Sequence, residues 1–302
     1  MMKRLITAVL IAFMFCSLFS ACAEKEVITE DKKIVKINGK IMSNKVYEYY
    51  LATEKLNNPD DSDDVIKAAA VKNTARQLYI SEMCTDKGIE INDEGRNTID
   101  SQINSLVEQY GSKEAFEKDI SQYGLDYDTY YALTESAYLE NLLKTEIIKT
   151  YTDEQRLDFY NNNMISVQHI LFTTVDQNQQ PLEESVAADK RALAEEVLAE
   201  IKNGTDFKQL AAEYNEDPGL ADDGYMVSKY TPFVKPFLNA ALDLKVGEVT
   251  DLVETSYGYH IIKRYEHKGN NTLYKNSIND INDGLFEQQF DIWYDNADIV
   301  VK

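Results

Sequence analysis

The apolar positions in the first half of the chain follow helical spacing after one short hairpin. Two brief apolar runs between residues 34 and 42 flank Asn38-Gly39, a dipeptide typical of a tight β-turn. The apolar residues beyond this hairpin recur on one face of a 3.6-residue period, which predicts amphipathic helices. The first of these helices begins near Ser43, and the second runs from the acidic cluster 60–64 to Gly88. A third carries the apolar stripe 99–110, and a short fourth ends at Gly124. A fifth covers 128–150, and a sixth begins at a Thr152 capping box.

The period of the apolar pattern changes at Met164. Short β-branched and aromatic runs now alternate with amphipathic stretches, and the last two runs are separated by only a tight turn. The sheet they form should therefore contain antiparallel pairs. The pattern predicts strands at 165–173, 225–228, 249–254 and 258–266, with helices at 186–203, 207–214 and 234–242.

The tail returns to helical spacing from Leu273 and ends in the short apolar run ADIVVK at 297–302. A single helix of this kind is too isolated to fold alone. We expect it to pack on the N-terminal helices and its final strand to pair with the 34–42 hairpin. The predicted fold class is α+β, with a small mixed domain at 164–267 inserted into a mostly helical domain made of 34–163 and 268–302.

The first residues have the features of an export signal. Lys3 and Arg4 precede an apolar run at 5–19, and small residues stand directly before Cys22. The ending FSAC resembles a bacterial lipobox, which implies a signal peptide at 1–21, lipid attachment at Cys22, a tether at 22–33 and anchoring on the extracytoplasmic face of the cell membrane. A plain secretory signal, with Cys22 incidental, remains the alternative.

Charge and missing motifs exclude several function classes. The formal net charge of -21 repels phosphate backbones, so we expect no nucleic-acid partner. No HExxH pair, GxSxG nucleophile elbow or phosphate-binding loop is present in the sequence. We therefore expect no metal, no nucleotide and no other cofactor.

The three histidines of the chain all fall in the mixed segment. His169 in SVQHILF and His260 in YGYHIIK lie in apolar strands, whereas His267 lies in the polar stretch EHKGN and should be exposed. Strand alternation places His260 on the same face as Gly258 and Ile262. From the residues alone, a histidine on an apolar face is more often a satisfied core residue than a functional group, so both readings stay open.

Several separate segments resemble the parvulin-type (PpiC/rotamase) peptidyl-prolyl cis–trans isomerases. These are VQHILF, NGTDFKQLAAEYNED and VKPFLNAALDLKVGEVTDLVETSYGYHIIK, in this order, and the resemblance covers about 164–267. The arrangement of export signal, helical segment, mixed unit and returning helix is similar to the PrsA-type extracytoplasmic foldase lipoproteins, with a cell membrane location and a role in protein folding.

The resemblance implies a site. It places catalytic roles on His169, Asp217, Thr255 and His260, and a substrate-binding proline pocket on Met226, Phe233 and Phe237. Core packing of the two phenylalanines, and a turn role for Asp217 before Pro218, remain alternatives from the residues alone. One departure is the loop DDGYMV at 222–227, where only Gly224 remains of the glycines usual in the family, and another is Asn215, where serine is common.

These features together predict a membrane-anchored foldase with chaperone activity. It would isomerise X-Pro bonds in unfolded or partly folded exported proteins. A non-catalytic holdase, whose mixed domain only binds peptide, is the alternative, and the altered loop is the feature in its favour. A solute-binding lipoprotein would show repeated βα units, which this chain lacks. The sequence leaves open whether two chains pair as a homodimer through the helical domain.

Overall fold

The computed structural model describes residues 35–59, 61–218, 224–269 and 272–302. The predicted signal peptide, Cys22 and the tether lie outside the described residues. Contacts divide the chain into two compact units: the residues up to Thr150 with Gln288–Lys302, and Tyr151–Glu287. The architecture is α+β, and N- and C-terminal segments share the first unit, as predicted.

The first unit is mainly helical. Ser62, Asn92, Ser112 and Asp126 each cap a helix, because their side-chain oxygens accept a backbone N–H from its first turn. No helix among the described residues is both long and apolar enough to cross a membrane. The elements of this unit are β1 (Val35–Ile37), β2 (Lys40–Ile41), α1 (Asn44–Asn57), α2 (Asp63–Lys87), α3 (Asp93–Gln109), α4 (Lys113–Ile120) and α5 (Tyr127–Ile148), followed at the chain end by β7 (Ile299–Val301).

The N-terminal hairpin and the last strand form one three-stranded sheet in the order β2-β1-β7. Asn38 and Gly39 both have positive φ, at 48° and 82°, which a two-residue type I′ hairpin turn requires at both of its central residues. β7 is antiparallel to β1, with Ile299 opposite Ile37. The predicted pairing of ADIVVK with the hairpin is therefore confirmed.

The returning helix packs on α2 within the first unit. Phe290 is buried, with its ring centroid 5.4 Å from that of Tyr79 and 4.9 Å from the Arg76 guanidinium carbon. Arg76 in turn donates from Nε to Glu140 Oε1 on α5 at 2.9 Å, and both side chains are buried. The predicted packing of the tail on the N-terminal helices is confirmed.

Cys84 is a packed thiol on α2. Its side chain is buried, and burial together with the nearby Glu140 carboxylate raises the pKa of the thiol to about 11. A thiol with this pKa stays protonated at neutral pH, so Cys84 is a poor nucleophile.

The second unit has a four-stranded antiparallel sheet, with the strands in the order β4 (Tyr225–Val227), β3 (Ile165–Thr173), β6 (Gly258–Tyr265) and β5 (Val253–Thr255). β5 is shorter than predicted, because Val249 makes only an isolated bridge with Lys263 and regular pairing starts later. The elements are α6 (Asp153–Asn163), β3 (Ile165–Thr173), α7 (Glu184–Lys202), α8 (Phe207–Tyr214), β4 (Tyr225–Val227), α9 (Lys235–Asp243), β5 (Val253–Thr255), β6 (Gly258–Tyr265) and α10 (Thr272–Asn276); α11 (Ile278–Asp295) begins here and ends in the first unit.

Both faces of this sheet are covered. On one face, Ile170 and Ile261 pack with Phe207 and other side chains of α7 and α8. On the other face, Val167 and Ile262 pack with side chains of α9. Most residues of the long strands β3 and β6 are therefore buried, and polar side chains such as the histidines must find partners inside the unit.

The segment before β3 behaves differently from the sequence expectation. α6 continues to Asn163, directly before the change of period at Met164. Phe159 and Tyr160 of α6 cluster with Tyr274 and Ile281. Contacts therefore group α6 with the second unit, whereas the sequence placed a boundary after it; the domain bounds 34–163, 164–267 and 268–302 stay a prediction.

Candidate active site

Strand register brings two histidines together. Leu171 of β3 lies opposite His260 of β6, and His169 lies opposite Ile262, so the two imidazoles are diagonal neighbours on one face. Their Nδ1 atoms are 3.1 Å apart, and the ring planes differ by only 19°. Both side chains are buried, at 4% and 5% exposure. The convergence expected from the sequence is present.

Each imidazole has a second polar partner at its other nitrogen. His169 Nε2 lies 2.8 Å from Asp217 Oδ2, and His260 Nε2 lies 2.9 Å from Thr255 Oγ1. Thr255 reaches this position because it pairs with Gly258 on β6, two residues before the histidine. The structure therefore brings together the four polar residues predicted from the sequence.

The hydrogen bonds define one consistent arrangement of protons when both rings are neutral. The Asp217 carboxylate can only accept, so His169 Nε2 donates to it. His169 Nδ1 is then an acceptor for His260 Nδ1–H, which leaves His260 Nε2 to accept from the Thr255 hydroxyl. Thr255, His260, His169 and Asp217 therefore form one hydrogen-bonded row, in which every donor points toward the Asp217 carboxylate.

Burial keeps His260 neutral. Desolvation, with a smaller electrostatic contribution from His169, lowers the pKa of this imidazole to about 3 against a weaker opposing effect of Asp217. A ring with this pKa does not become protonated to the cation near neutral pH. His260 can therefore accept and donate fixed hydrogen bonds, and it is unsuited to general acid catalysis.

A short segment fixes Asp217 beside β3. Glu216 N–H donates to Leu171 O at 3.0 Å, and Leu171 N–H donates to Asn215 Oδ1 at 2.9 Å. The same Asn215 oxygen accepts from the backbone N–H of Asp217 at 3.3 Å. Residues 215–217 thus bind the part of β3 that β4 leaves unpaired, and this contact turns the Asp217 carboxylate toward the histidine.

Aromatic side chains line one side of the histidine pair. The ring centroid of Phe237, on α9, lies 5.2 Å from the centroids of both His169 and His260, with edge-on geometry. Phe233 contacts Phe237 at 5.3 Å between centroids, and it is only partly buried. Phe237 and Phe233 form an aromatic wall beside the imidazoles. The Phe237 ring is buried against the imidazoles, and the Phe233 ring remains partly accessible.

Tyr225 completes this wall in place of Met226. Tyr225 pairs with Val167 and shares the face of His169, and its ring centroid lies 5.4 Å from that of Phe233. Met226 pairs with Ser166 and therefore points to the opposite face, where it joins the cluster around Phe159 and Tyr160. The structure corrects the prediction that Met226 is a pocket residue, because successive strand residues face opposite ways.

The third histidine is not exposed as expected. His267 is half-buried, its Nε2 lies 2.9 Å from Tyr160 O, and its ring meets the Tyr160 ring edge-on at 5.0 Å. Burial lowers the pKa of this imidazole. Its contacts attach the end of β6 to α6.

The altered loop keeps one glycine for a steric reason. Asp222 and Asp223 of DDGYMV lie outside the described residues. Gly224 has φ of 78°, and a Cβ there would lie 2.3 Å from Val167 O. Only glycine permits this close approach to β3, which sets the start of β4.

Two side chains at this site were not assigned a role from the sequence. Tyr225 and Asn215 were noted only as departures from the family pattern. Alternation within β4 could have placed Tyr225 on the histidine face, but only if the register with β3 were known. The Asn215 contact with Leu171 depends on tertiary structure and leaves no pattern in the sequence.

The arrangement favours binding and polar stabilisation over bond-breaking chemistry. The site offers an aromatic wall, a carboxylate, a hydroxyl and two imidazoles. Among the residues whose positions are described, no three His, Cys, Asp or Glu side chains form a metal-binding group.

Sequence comparisons relate this chain to known proteins. A family model described as a PPIC-type PPIase domain matches residues 141–268. The foldase protein PrsA of Geobacillus kaustophilus (strain HTA426) is 31% identical over 216 residues, which cover 68% of this chain and 65% of that protein. The foldase protein PrsA of Bacillus subtilis (strain 168) is 31% identical over 224 residues, which cover 69% of this chain and 67% of that protein.

One solved structure also matches over most of the chain. The crystal structure of PrsA from Bacillus subtilis is 27% identical and covers 76% of this chain and 80% of its own, with a TM-score of 0.29. The chain spans no more than 67% of the length of either sequence relative.

Proposed function

This chain belongs to the PrsA family of foldase proteins, and we propose that it is a parvulin-type peptidyl-prolyl cis–trans isomerase. Its substrates are X-Pro bonds in unfolded or partly folded exported proteins. The observation that carries the proposal is the His169–His260 pair, with Nδ1 atoms 3.1 Å apart, beside the Phe237 ring and the Asp217 carboxylate.

The reaction needs no covalent step. Rotation about an X-Pro bond has a barrier of roughly 18–20 kcal/mol, because amide resonance is lost in the twisted state. Selective stabilisation of that twisted state by about 5 kcal/mol accelerates the rotation by more than about a thousandfold. An apolar contact for the proline ring and a few fixed polar groups are therefore sufficient.

Different residues of the site bind the proline ring and hold the polar groups in place. The rings of Phe233 and Phe237 give the pyrrolidine a dry surface. The fixed hydrogen bonds between the imidazoles hold the floor of the site in one geometry, since His260 stays neutral. The histidines act as a preorganised support and do not shuttle protons.

A protease-coupled assay with a proline peptide tests this proposal. The native chain should accelerate the cis–trans step, and Phe237→Ala should lower kcat/KM about tenfold or more because a buried apolar contact is lost. His260→Ala should lower it as well. Val246→Ala is the control, because this side chain lies in the same unit and is exposed. A native chain without turnover rejects the proposal.

The holdase is the second candidate, and the replaced glycines of DDGYMV support it. In that case the native chain binds an unfolded proline-containing peptide and suppresses its aggregation, while the isomerisation rate stays at the uncatalysed value. The two functions are therefore separated by turnover in the same peptide.

Anchoring to the membrane is part of the proposal. The lipobox-like FSAC supports lipid attachment at Cys22 and a position on the extracytoplasmic face, where exported proteins fold. Cys22→Ser should prevent incorporation of a labelled fatty acid and release the chain from the membrane fraction. Labelling that persists in this variant contradicts the assignment of Cys22.

A further inference from the structure

We propose that Tyr225 is a positioning residue of this site, whose hydroxyl holds the Asp217 carboxylate against His169. The inference rests on the proposed isomerase function. It assigns a role to the first residue of β4, within the segment 222–227 where the sequence departs from the family pattern. Tyr225 acts through Asp217 and is not itself a catalytic residue.

The contacts place two donors on one carboxylate oxygen. Tyr225 Oη donates to Asp217 Oδ2 at 2.8 Å, and His169 Nε2 donates to the same oxygen at 2.8 Å. Asp217 is partly exposed, with 19% side-chain exposure, so water competes for its oxygens. A donor from the protein that is fixed in place limits the directions in which the carboxylate can turn.

The fold holds the tyrosine ring on two sides. Tyr225 pairs with Val167, two residues before His169 on the same face of β3. Its ring meets the His169 ring edge-on at 5.7 Å and the Phe233 ring edge-on at 5.4 Å between centroids. A ring held between an imidazole and a phenyl group has little rotational freedom, so the hydroxyl stays directed at Asp217.

The hydroxyl remains a donor over the working pH range. Burial raises the pKa of Tyr225, and the hydrogen bond and charge of Asp217 raise it further. The phenol is therefore protonated at neutral pH. Tyr225 and Asn215 hold Asp217 from opposite ends, the first at the carboxylate and the second at the backbone.

The test compares two variants of the full chain that each lose one tyrosine hydroxyl. Tyr225→Phe keeps the ring and removes only the donor to Asp217. Tyr214→Phe is the matched control, because its hydroxyl bonds to the Glu213 carboxylate, and its ring packs on Phe172 at the other face of the sheet. Activity is measured as kcat and KM with a proline peptide, and the His169 imidazole is followed by its ¹⁵N NMR shifts.

We expect Tyr225→Phe to lower kcat about tenfold with little change in KM, since the aromatic wall is retained and a hydrogen bond to a charged group is lost. The His169 Nε2 shift should move, which reports a weaker bond to Asp217. Tyr214→Phe should leave both readouts at the native values.

Two outcomes overturn the inference. Native kcat and native His169 shifts in Tyr225→Phe show that the hydroxyl holds nothing. A lower kcat with an unchanged His169 shift shows that the tyrosine acts elsewhere. If the native chain itself lacks turnover, the proposed function fails, while the NMR shifts still decide whether Tyr225 holds Asp217.

Discussion

At the scale of residues, the site depends on one histidine, His260, that burial keeps neutral. His260 combines 5% exposure with hydrogen bonds at both ring nitrogens, to His169 and to Thr255. Protonation of His260 would add a proton at Nε2, the nitrogen that accepts from the Thr255 hydroxyl, and would break that hydrogen bond. The low pKa of His260 therefore preserves the hydrogen bond from Thr255.

A titration followed by NMR tests this state directly. The His260 imidazole should stay neutral, with its proton on Nδ1, from about pH 7.5 to 4.5, because its pKa is lowered to about 3. The measurement is the ¹⁵N shift of both ring nitrogens. A midpoint near the ordinary value of 6.5 would contradict the buried hydrogen-bonded pair.

The same shift makes a prediction about stability. The unfolded chain binds a proton at His260 below its ordinary pKa of 6.5 and the folded chain does not, so stability is lost as pH falls from 6.5 toward 3. The loss is on the order of 2 kcal/mol at pH 5. The stability of His260→Gln should fall less between pH 7 and pH 5 than that of the native chain, as measured by hydrogen-exchange protection of β3. Equal losses of stability in the two chains would exclude His260 as the origin of the pH dependence.

At the scale of elements, the β5–β6 hairpin connects Thr255 to His260, and the first residue of β6, Gly258, must be glycine. Gly258 has φ of 138°, and a Cβ there would lie 2.1 Å from Phe172 O. The close approach holds β6 against the end of β3. The hairpin therefore sets both the strand register and one end of the hydrogen-bonded row.

Gly258→Ala should destabilise the second unit by about 3 kcal/mol or more, because it adds backbone strain and a collision with β3. Gly247→Ala is matched to it, since Gly247 also has positive φ but has nothing within 4 Å of a Cβ. That control should cost about 1 kcal/mol. Amide hydrogen exchange in β3 and β6 measures both, and equal costs would show that the Phe172 contact is unimportant.

The sequence predicted long elements better than short ones. β3 and β6 were recognisable from continuous apolar runs, and their alternation placed His260 and Ile262 on one face. β4 has only three residues, so nothing in its composition distinguishes the face of Tyr225 from that of Met226. A shift of one residue reverses the faces, and the register comes from the approach of Gly224 to β3, which is tertiary.

At the scale of the whole molecule, the first unit is built from both ends of the chain. β7 completes the sheet begun by the N-terminal hairpin, and Phe290 packs on Tyr79 and Arg76 of α2. The pairing was predictable because an isolated terminal helix and strand need a partner. The division of contacts at Thr150 was not, since it depends on the burial of Phe159 and Tyr160 of α6.

Phe290→Ala should lower the free energy of unfolding of the first unit by about 3–5 kcal/mol, because a buried aromatic ring is removed. Ile292→Ala is the control on the same helix, since this side chain is 60% exposed, and its cost should stay within about 0.5 kcal/mol. Trp293, the only tryptophan of the chain, reports denaturant unfolding near this contact. Equal effects of the two variants would refute the importance of the tail.

The most direct test of isomerase activity is the cis–trans interconversion rate of an Ala-Pro peptide, measured by NMR exchange with the full chain and no protease. A small molar fraction of native chain should accelerate the exchange, and Phe237→Ala should lose most of this effect while remaining folded. An exchange rate that stays at the uncatalysed value with the native chain would contradict it.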